Sequence, residues 1–110
     1  MRSLLRPFQC QNHDTSSQTL AGHSDRINSV AFSYDSKFLG SASCEKTVKV
    51  WKASSGKCWH TLKGHRNCVN DVLFFYLDSN QLVSASCNSG MKIWNLDRTE
   101  CIQTWKGKQD

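Results

Sequence analysis

GHSDRINSVAFSYDSKFLGSASCEKTVKVW, residues 22–51, decides the fold, because most of it is written a second time further along the chain. Residues 19–60 and 61–103 align over 42 positions with one inserted residue, Leu77, and 18 of those positions are identical. TLAGH at 19–23 returns as TLKGH at 61–65, and a third start, TWKGK at 104–108, breaks off. Within the first unit the apolar residues fall in short runs: Ile27, Val30 and Phe32, then Phe38 and Leu39 leading into SAS, then Val48, Val50 and Trp51. The second unit repeats them as Val69, Val72 and Phe74, then Leu82 and Val83, then Met91, Ile93 and Trp94. Turn-forming stretches separate the runs, YDSK and YLDSN after the first, CEK and CNSG after the second, ASSGK and LDRTE after the third. A fourth strand, 58–62 or 101–105, closes each unit. No helical period of useful length appears, so the chain is all-β.

A chain of 110 residues holds one ordinary domain's worth of core, and its 38 % apolar and 21 % charged residues are those of a folding chain. No apolar run approaches the roughly 18 residues of a membrane-spanning helix, so no membrane association is expected. MRSLLRPFQC at the N-terminus offers only Leu4 and Leu5 where a signal peptide needs an apolar stretch of about 7–15 residues. The expectation is therefore a cytoplasmic protein with reduced thiols, although it carries six cysteines. The net charge is +5, with no acid between Glu45 and Asp71. That basic middle reads as solvated loops and strand edges, and the absence of interleaved aromatics argues against nucleic acid as a partner.

Four short strands per roughly 40–45 residues, opened by Gly-His and closed by Trp, resemble the blade of a WD-repeat β-propeller. The resemblance covers about residues 19–106, complete in the first unit and degraded in the second. It divides the chain into a flexible N-terminal segment (1–18), repeats at 19–63 and 64–106, and a tail (107–110). The wording of the first unit is similar to repeats in fungal arrays carried by NACHT-type incompatibility proteins, but no G-x-x-x-x-G-K-[ST] phosphate loop is present. The implied fold is two four-stranded antiparallel blades, incomplete as a single chain.

The resemblance also implies a hydrogen-bonded set in each blade: His23, Ser41, Glu45 and Trp51 in the first, His65, Ser84, Asn88 and Trp94 in the second. Ser43 and Ser86, two residues along on the same strand face, are the register alternatives. An indole donating to a hydroxyl, the hydroxyl to an imidazole, and the imidazole to an acid would satisfy buried polar groups in sequence. A serine, a histidine and an acid also suggest a catalytic triad, but this set recurs in both units and includes an indole, so no enzyme and no cofactor is expected. Asn88 in place of Glu45 removes a charge-assisted bond, a loss of roughly 1 kcal/mol. Lys52 and Asn95 stand where the family has Asp after Trp, and Gly90 replaces Thr47.

Cys44 with Cys87, and Cys58 with Cys101, are explained by duplication. Cys58, His60, His65 and Cys68 make a C-x-H-x₄-H-x₂-C arrangement whose rival reading is a small zinc protein, and a basic nucleic-acid-binding protein is the other rival. Against these stands the expectation that His65 belongs to the Gly-His role, so no metal is assigned. In WD-repeat proteins the start of the inner strand and the residue before the turn acid reach the loop face. Here that implies Arg26, Asn28, Cys44, Cys68, Asn70 and Cys87 as a partner-binding face. Two blades cover each other on one side only, so exposed apolar faces are expected, with other proteins, further propeller blades or more copies of the chain as partners. Both ends read as cuts through a longer array, and the function expected is that of a protein-interaction scaffold.

Overall fold

The computed structural model describes residues 20–87 and 90–106. The expected N-terminal segment, 1–18, and the tail, 107–110, lie outside the described residues, as does Asn88. Eight strands of six residues follow one another: β1 (Ile27–Phe32), β2 (Phe38–Ser43), β3 (Thr47–Lys52), β4 (Cys58–Lys63), β5 (Val69–Phe74), β6 (Gln81–Ser86), β7 (Gly90–Asn95) and β8 (Glu100–Trp105). They form two antiparallel four-stranded sheets in sequence order, β1-β2-β3-β4 and β5-β6-β7-β8. Among the described residues no helix is long and apolar enough to cross a membrane.

The two sheets deviate from regular pairing at the same places. A bulge between Ile27 and Ser29 leaves Asn28 out of the β1–β2 ladder, and its repeat between Val69 and Asp71 does so for Asn70. A second irregularity at Val50/Trp51 recurs at Ile93/Trp94. Bulges re-aim side chains. The Asn28 amide consequently reaches across to donate to the Val69 carbonyl of the other sheet at 2.9 Å.

The sheets meet face to face. Cross-strand pairing puts Ala31, Gly40 and Val50 in one row on the first sheet, with Ala42 and Val48 beside it. Val72, Phe74 and Leu82 of the second sheet pack against that row. Gly40 leaves the room for them: a Cβ there would sit 3.3 Å from both Phe74 and Val72 and 3.4 Å from Leu82. Trp59 stacks on Phe38 with centroids 4.5 Å apart at the outer end of the same core.

Val72 and Phe74 are 1 % and 4 % exposed, whereas their counterparts Val30 and Phe32 are 53 % and 50 % exposed. On the opposite faces Val48 is fully buried while Met91, its counterpart, is 42 % exposed. The expected bare flanks are thus present. Trp51 forms a separate small cluster with Leu20 and Leu39 on the open face of the first sheet. Its counterpart Trp94 fills the inter-sheet core instead, because only the second sheet has a neighbour on that side.

Substituting Gly40→Val should overpack the seam and lower stability by about 1–3 kcal/mol. A urea midpoint equal to that of the parent chain would show that the two sheets are not held at this spacing.

Candidate functional site

In the first blade the segment before β1 turns back so that His23 lies between β2 and the β2–β3 turn. Its Nε2 is 2.6 Å from the Ser41 hydroxyl, and the Trp51 indole donates to the same hydroxyl at 2.9 Å. His23 Nδ1 is 2.9 Å from Glu45 Oε2. One assignment satisfies every contact: Trp51 N–H donates to Ser41, Ser41 O–H to Nε2, and Nδ1–H to Glu45. It requires a neutral imidazole. Burial lowers the His23 pKa, with the contacts to Glu45 opposing it, so the ring is neutral near pH 7.

Burial alone would raise Glu45, but the Ser24 amide, the Thr47 and Ser24 hydroxyls and His23 outweigh it and hold the carboxyl at about 2. The Ser24 amide and hydroxyl donate at 2.6 and 2.7 Å, and Thr47 at 2.5 Å. Ser24 and Thr47 were not anticipated. The signal for them was present inside the repeat, where Ser24, Glu45 and Thr47 change together to Arg66, Asn88 and Gly90.

The second blade keeps the buried half of the set, His65 Nε2 at 2.6 Å from the Ser84 hydroxyl and the Trp94 indole donating to Ser84 at 2.9 Å. Among the described residues nothing pairs with His65 Nδ1. Burial, then the Lys92 charge, pushes His65 down to about 4. Gly22 and Gly64 complete the arrangement by close approach, since a Cβ at either would lie 3.1 and 3.2 Å from the edges of Trp51 and Trp94. The register alternatives do other work: Ser43 donates to the Arg26 carbonyl at 3.0 Å and Ser86 to the Cys68 carbonyl at 2.7 Å, tying each inner strand to its own turn.

The six residues assigned to the loop face gather at one end of the sheets. Arg26, Asn28, Asn70 and Cys87 are exposed, and Cys44 and Cys68 are half-buried. The Cys44 amide donates to the Arg26 carbonyl at 3.0 Å. Asn28 and Asn70 each point their amide at the turn cysteine of their own blade, 3.3 Å from Cys44 and 3.2 Å from Cys87.

The expectation that these thiols are all free is overturned at one pair, because Cys44 and Cys68 form a disulfide. The cause is the seam: with β1 and β2 packed on β5, the β2–β3 turn of one blade lies against the loop entering the other. Cys58, Cys87 and Cys101 are free and exposed. The zinc set is likewise taken apart. Cys68 is bonded to Cys44, His65 is engaged with Ser84, and His60 meets the Thr99 hydroxyl at 3.1 Å. Among the described residues no three His, Cys, Asp or Glu side chains are grouped to hold a metal ion.

Paired four-stranded antiparallel sheets, each pinned by a histidine, a serine and a tryptophan, define blades of a β-propeller. The family profile of the WD domain, G-beta repeat, matches residues 14–52 and 56–95, and the chain belongs to that family. It is 43 % identical over 61 residues to a probable E3 ubiquitin ligase complex SCF subunit sconB of Arthroderma benhamiae, covering 56 % of this chain and 9 % of that protein. Over 48 residues it is 48 % identical to the WD repeat-containing protein pop1 of Schizosaccharomyces pombe, covering 44 % of this chain and 6 % of the other. Among solved structures, the WD40 repeats of RRP9 share a TM-score of 0.76 at 31 % identity, covering 86 % of this chain and 29 % of theirs. U3-55K gives 0.74 at 33 %, covering 82 % and 27 %. The chain thus spans less than a tenth of these relatives and under a third of these structures.

Two outcomes test the site. Unfolded histidines titrate near pH 6.5 whereas folded His65 resists protonation until about 4, and His23 and His60 shift the same way because they are buried. The contribution of His65 is full above pH 6.5 and is lost as the pH falls toward 4, and those of His23 and His60 are likewise lost below pH 6.5; Glu45, depressed from 4.5 to about 2, adds a further loss at lower pH. Urea midpoints should therefore decline from pH 6.5 downward, and a midpoint flat to pH 4 would contradict the assignment. Separately, reducing the Cys44–Cys68 bond, which spans 24 residues of sequence, should cost about 2–4 kcal/mol. Cys68→Ser should cost the same and become insensitive to reductant.

Proposed function

We propose that the chain is a non-catalytic protein-interaction scaffold that presents the loop rim formed by Arg26, Asn28, Cys44, Cys68, Asn70 and Cys87 to protein partners. The observation that carries this reading is the gathering of these six residues at one end of two blades that share a core. A partner meeting that rim finds side chains already held in place, which reduces the ordering cost of binding. Catalysis is not part of the reading, because both serines that sit beside a histidine are buried, at 0 % and 1 % exposure, and each accepts from an indole, so neither is an accessible nucleophile.

The sconB relatives are described as SCF subunits, which supports a protein as the partner here. The reading places the chain in the cytoplasm. In that compartment Cys44 and Cys68 would spend part of their time as thiols.

A peptide library selected on the folded chain should return binders that Arg26→Glu with Asn70→Ala weakens about tenfold or more, roughly 1.4 kcal/mol. Arg98→Glu, at the opposite end of the sheets, should leave them unchanged. Binders that follow Arg98 and ignore Arg26 would move the interaction to the other rim and end this reading.

A further inference from the structure

Three of the rim residues are cysteines, and they do not share one origin. Cys44 and Cys87 hold the same place in the two units, the first at the start of the β2–β3 turn and the second at the start of the β6–β7 turn. Cys68 is the addition, since its counterpart in the first unit is Arg26. It puts a third sulfur at a position that adjoins both of the duplicated ones.

Toward the first blade, Cys68 is bonded to Cys44. Toward its own hairpin, it stands opposite Cys87: the β5–β6 ladder pairs Val69 with Ser86, and the next step outward places Cys68 across from Cys87. The Ser86 hydroxyl donates to the Cys68 carbonyl at 2.7 Å and holds the two strands together there. In the first blade the equivalent step is closed by the Cys44 amide, which donates to the Arg26 carbonyl at 3.0 Å. Directly opposed residues of an antiparallel pair carry their Cβ atoms roughly 4.5–5.5 Å apart, and a disulfide needs about 3.5–4.5 Å. A small adjustment at the end of the ladder, outside the bulge at Val69/Asp71, covers the difference.

The two outer sulfurs have matching surroundings. The Asn28 amide donates to Cys44 Sγ at 3.3 Å, and the Asn70 amide to Cys87 Sγ at 3.2 Å. In thiol–disulfide exchange the attacking and the leaving sulfur each pass through the thiolate, and here each has a donor that a thiolate can accept. Cys87 is free and exposed, so it enters such a step as the thiol.

We propose that Cys87 is the nucleophile of an internal thiol–disulfide exchange with Cys68 as its pivot, which converts the inter-blade Cys44–Cys68 bond into a Cys68–Cys87 bond within the second blade. The Cys87 thiol gives its proton to solvent and the thiolate attacks Cys68 Sγ. The bond from Cys68 to Cys44 breaks, and Cys44 leaves as a thiolate that takes a proton from solvent. One disulfide replaces another, so no oxidant or reductant is consumed. What changes is the covalent connection between the sheets. In one state the β2–β3 turn is tied to the loop entering β5. In the other, packing and hydrogen bonds alone hold the seam, and Cys44 is a thiol beside Asn28. The rim is therefore adjustable without loss of its disulfide.

A chain carrying Cys10→Ser, Cys58→Ser and Cys101→Ser keeps only the three rim cysteines. Oxidised with glutathione disulfide, it holds one protein disulfide and one thiol. After equilibration near pH 8, where an ordinary cysteine is partly thiolate, it is quenched in acid, alkylated with a maleimide and mapped by acid proteolysis. Cys68–Cys87 should make up at least about a tenth of the linked peptides, and the maleimide should divide between Cys44 and Cys87 while sparing Cys68. Tenfold dilution of the protein should leave these fractions unchanged. Label on Cys87 alone, Cys44–Cys87 as the main second product, or a Cys68–Cys87 fraction that falls on dilution would overturn the proposal.

Two further chains on the same background isolate the two bonds, Cys87→Ser leaving Cys44 with Cys68 and Cys44→Ser leaving Cys68 with Cys87. Both should close in glutathione buffers, with equilibrium constants within about tenfold of each other. Closure of the first without the second removes Cys87 from the exchange. If a serine variant fails to fold, the same mapping on the unmodified chain decides the matter, since Cys68–Cys87 peptides must appear there too. No partner enters any of these measurements, so the loop-rim reading stands or falls separately, at Arg26→Glu and Asn70→Ala.

Discussion

The contact on which the rest of this structure depends is the meeting of Gly40 with Val72, Phe74 and Leu82. Each sheet taken alone is apolar on both sides and has no water-facing surface that would let it stand by itself. At this contact one side of each is covered, and the same residue types that are bare in the first blade become buried in the second. The polar bridges across the seam, from Asn28 to the Val69 carbonyl and from Ser29 to Asp71, sit at its inner edge and set its register. They could not form without the apolar approach beneath them. The Cys44–Cys68 bond belongs to the same hierarchy, as two loops brought together by packing and then joined.

The hydrogen-bonded sets show how duplicated units diverge without losing their fold. The buried portion, in which histidine and indole share one serine hydroxyl, is the same in both blades to within the distances measured. The partly exposed portion, around Glu45, is elaborate in the first blade, where Ser24 and Thr47 both serve the carboxylate. In the second, Arg66 and Gly90 stand where those hydroxyls would be. Buried polar atoms without partners are costly, whereas a bond at the rim can be traded for water. Divergence has gone to the groups around the carboxylate, and it leaves His65 Nδ1 buried without a partner among the described residues.

Much of this was legible in the sequence, and the pattern of what was not is physical. The strands could be read because the unit is written twice, so a turn or apolar run that is ambiguous once is decided by its second appearance. His23, Ser41, Glu45 and Trp51 could be read from the resemblance to WD repeats. The disulfide could not, because Cys44 and Cys68 occupy different positions of the repeat and meet only through the rotation of one sheet onto the next. The rival zinc arrangement fails for a related reason: Cys58, His60, His65 and Cys68 are neighbours in sequence, but strand alternation and the turn after Lys63 send them to different surroundings. Trp51 and Trp94 hold the same place in the repeat but sit in different surroundings, because of the two only Trp94 has a blade packed on its side of the sheet.

Leu77, the residue by which the second unit exceeds the first, is 89 % exposed at the tip of the turn between β5 and β6. On either side of it the bonding is conserved: Asp35 accepts from the Lys37 amide at 3.0 Å, and Asp78 from the Asn80 amide at 2.9 Å. Phe32 faces Leu39 just as Phe74 faces Leu82. The chain has therefore already carried out a lengthening experiment on itself and kept its hairpin. Peptide cargo such as an epitope or a fluorophore-binding loop has a natural point of entry there, at the end of the sheets opposite the rim.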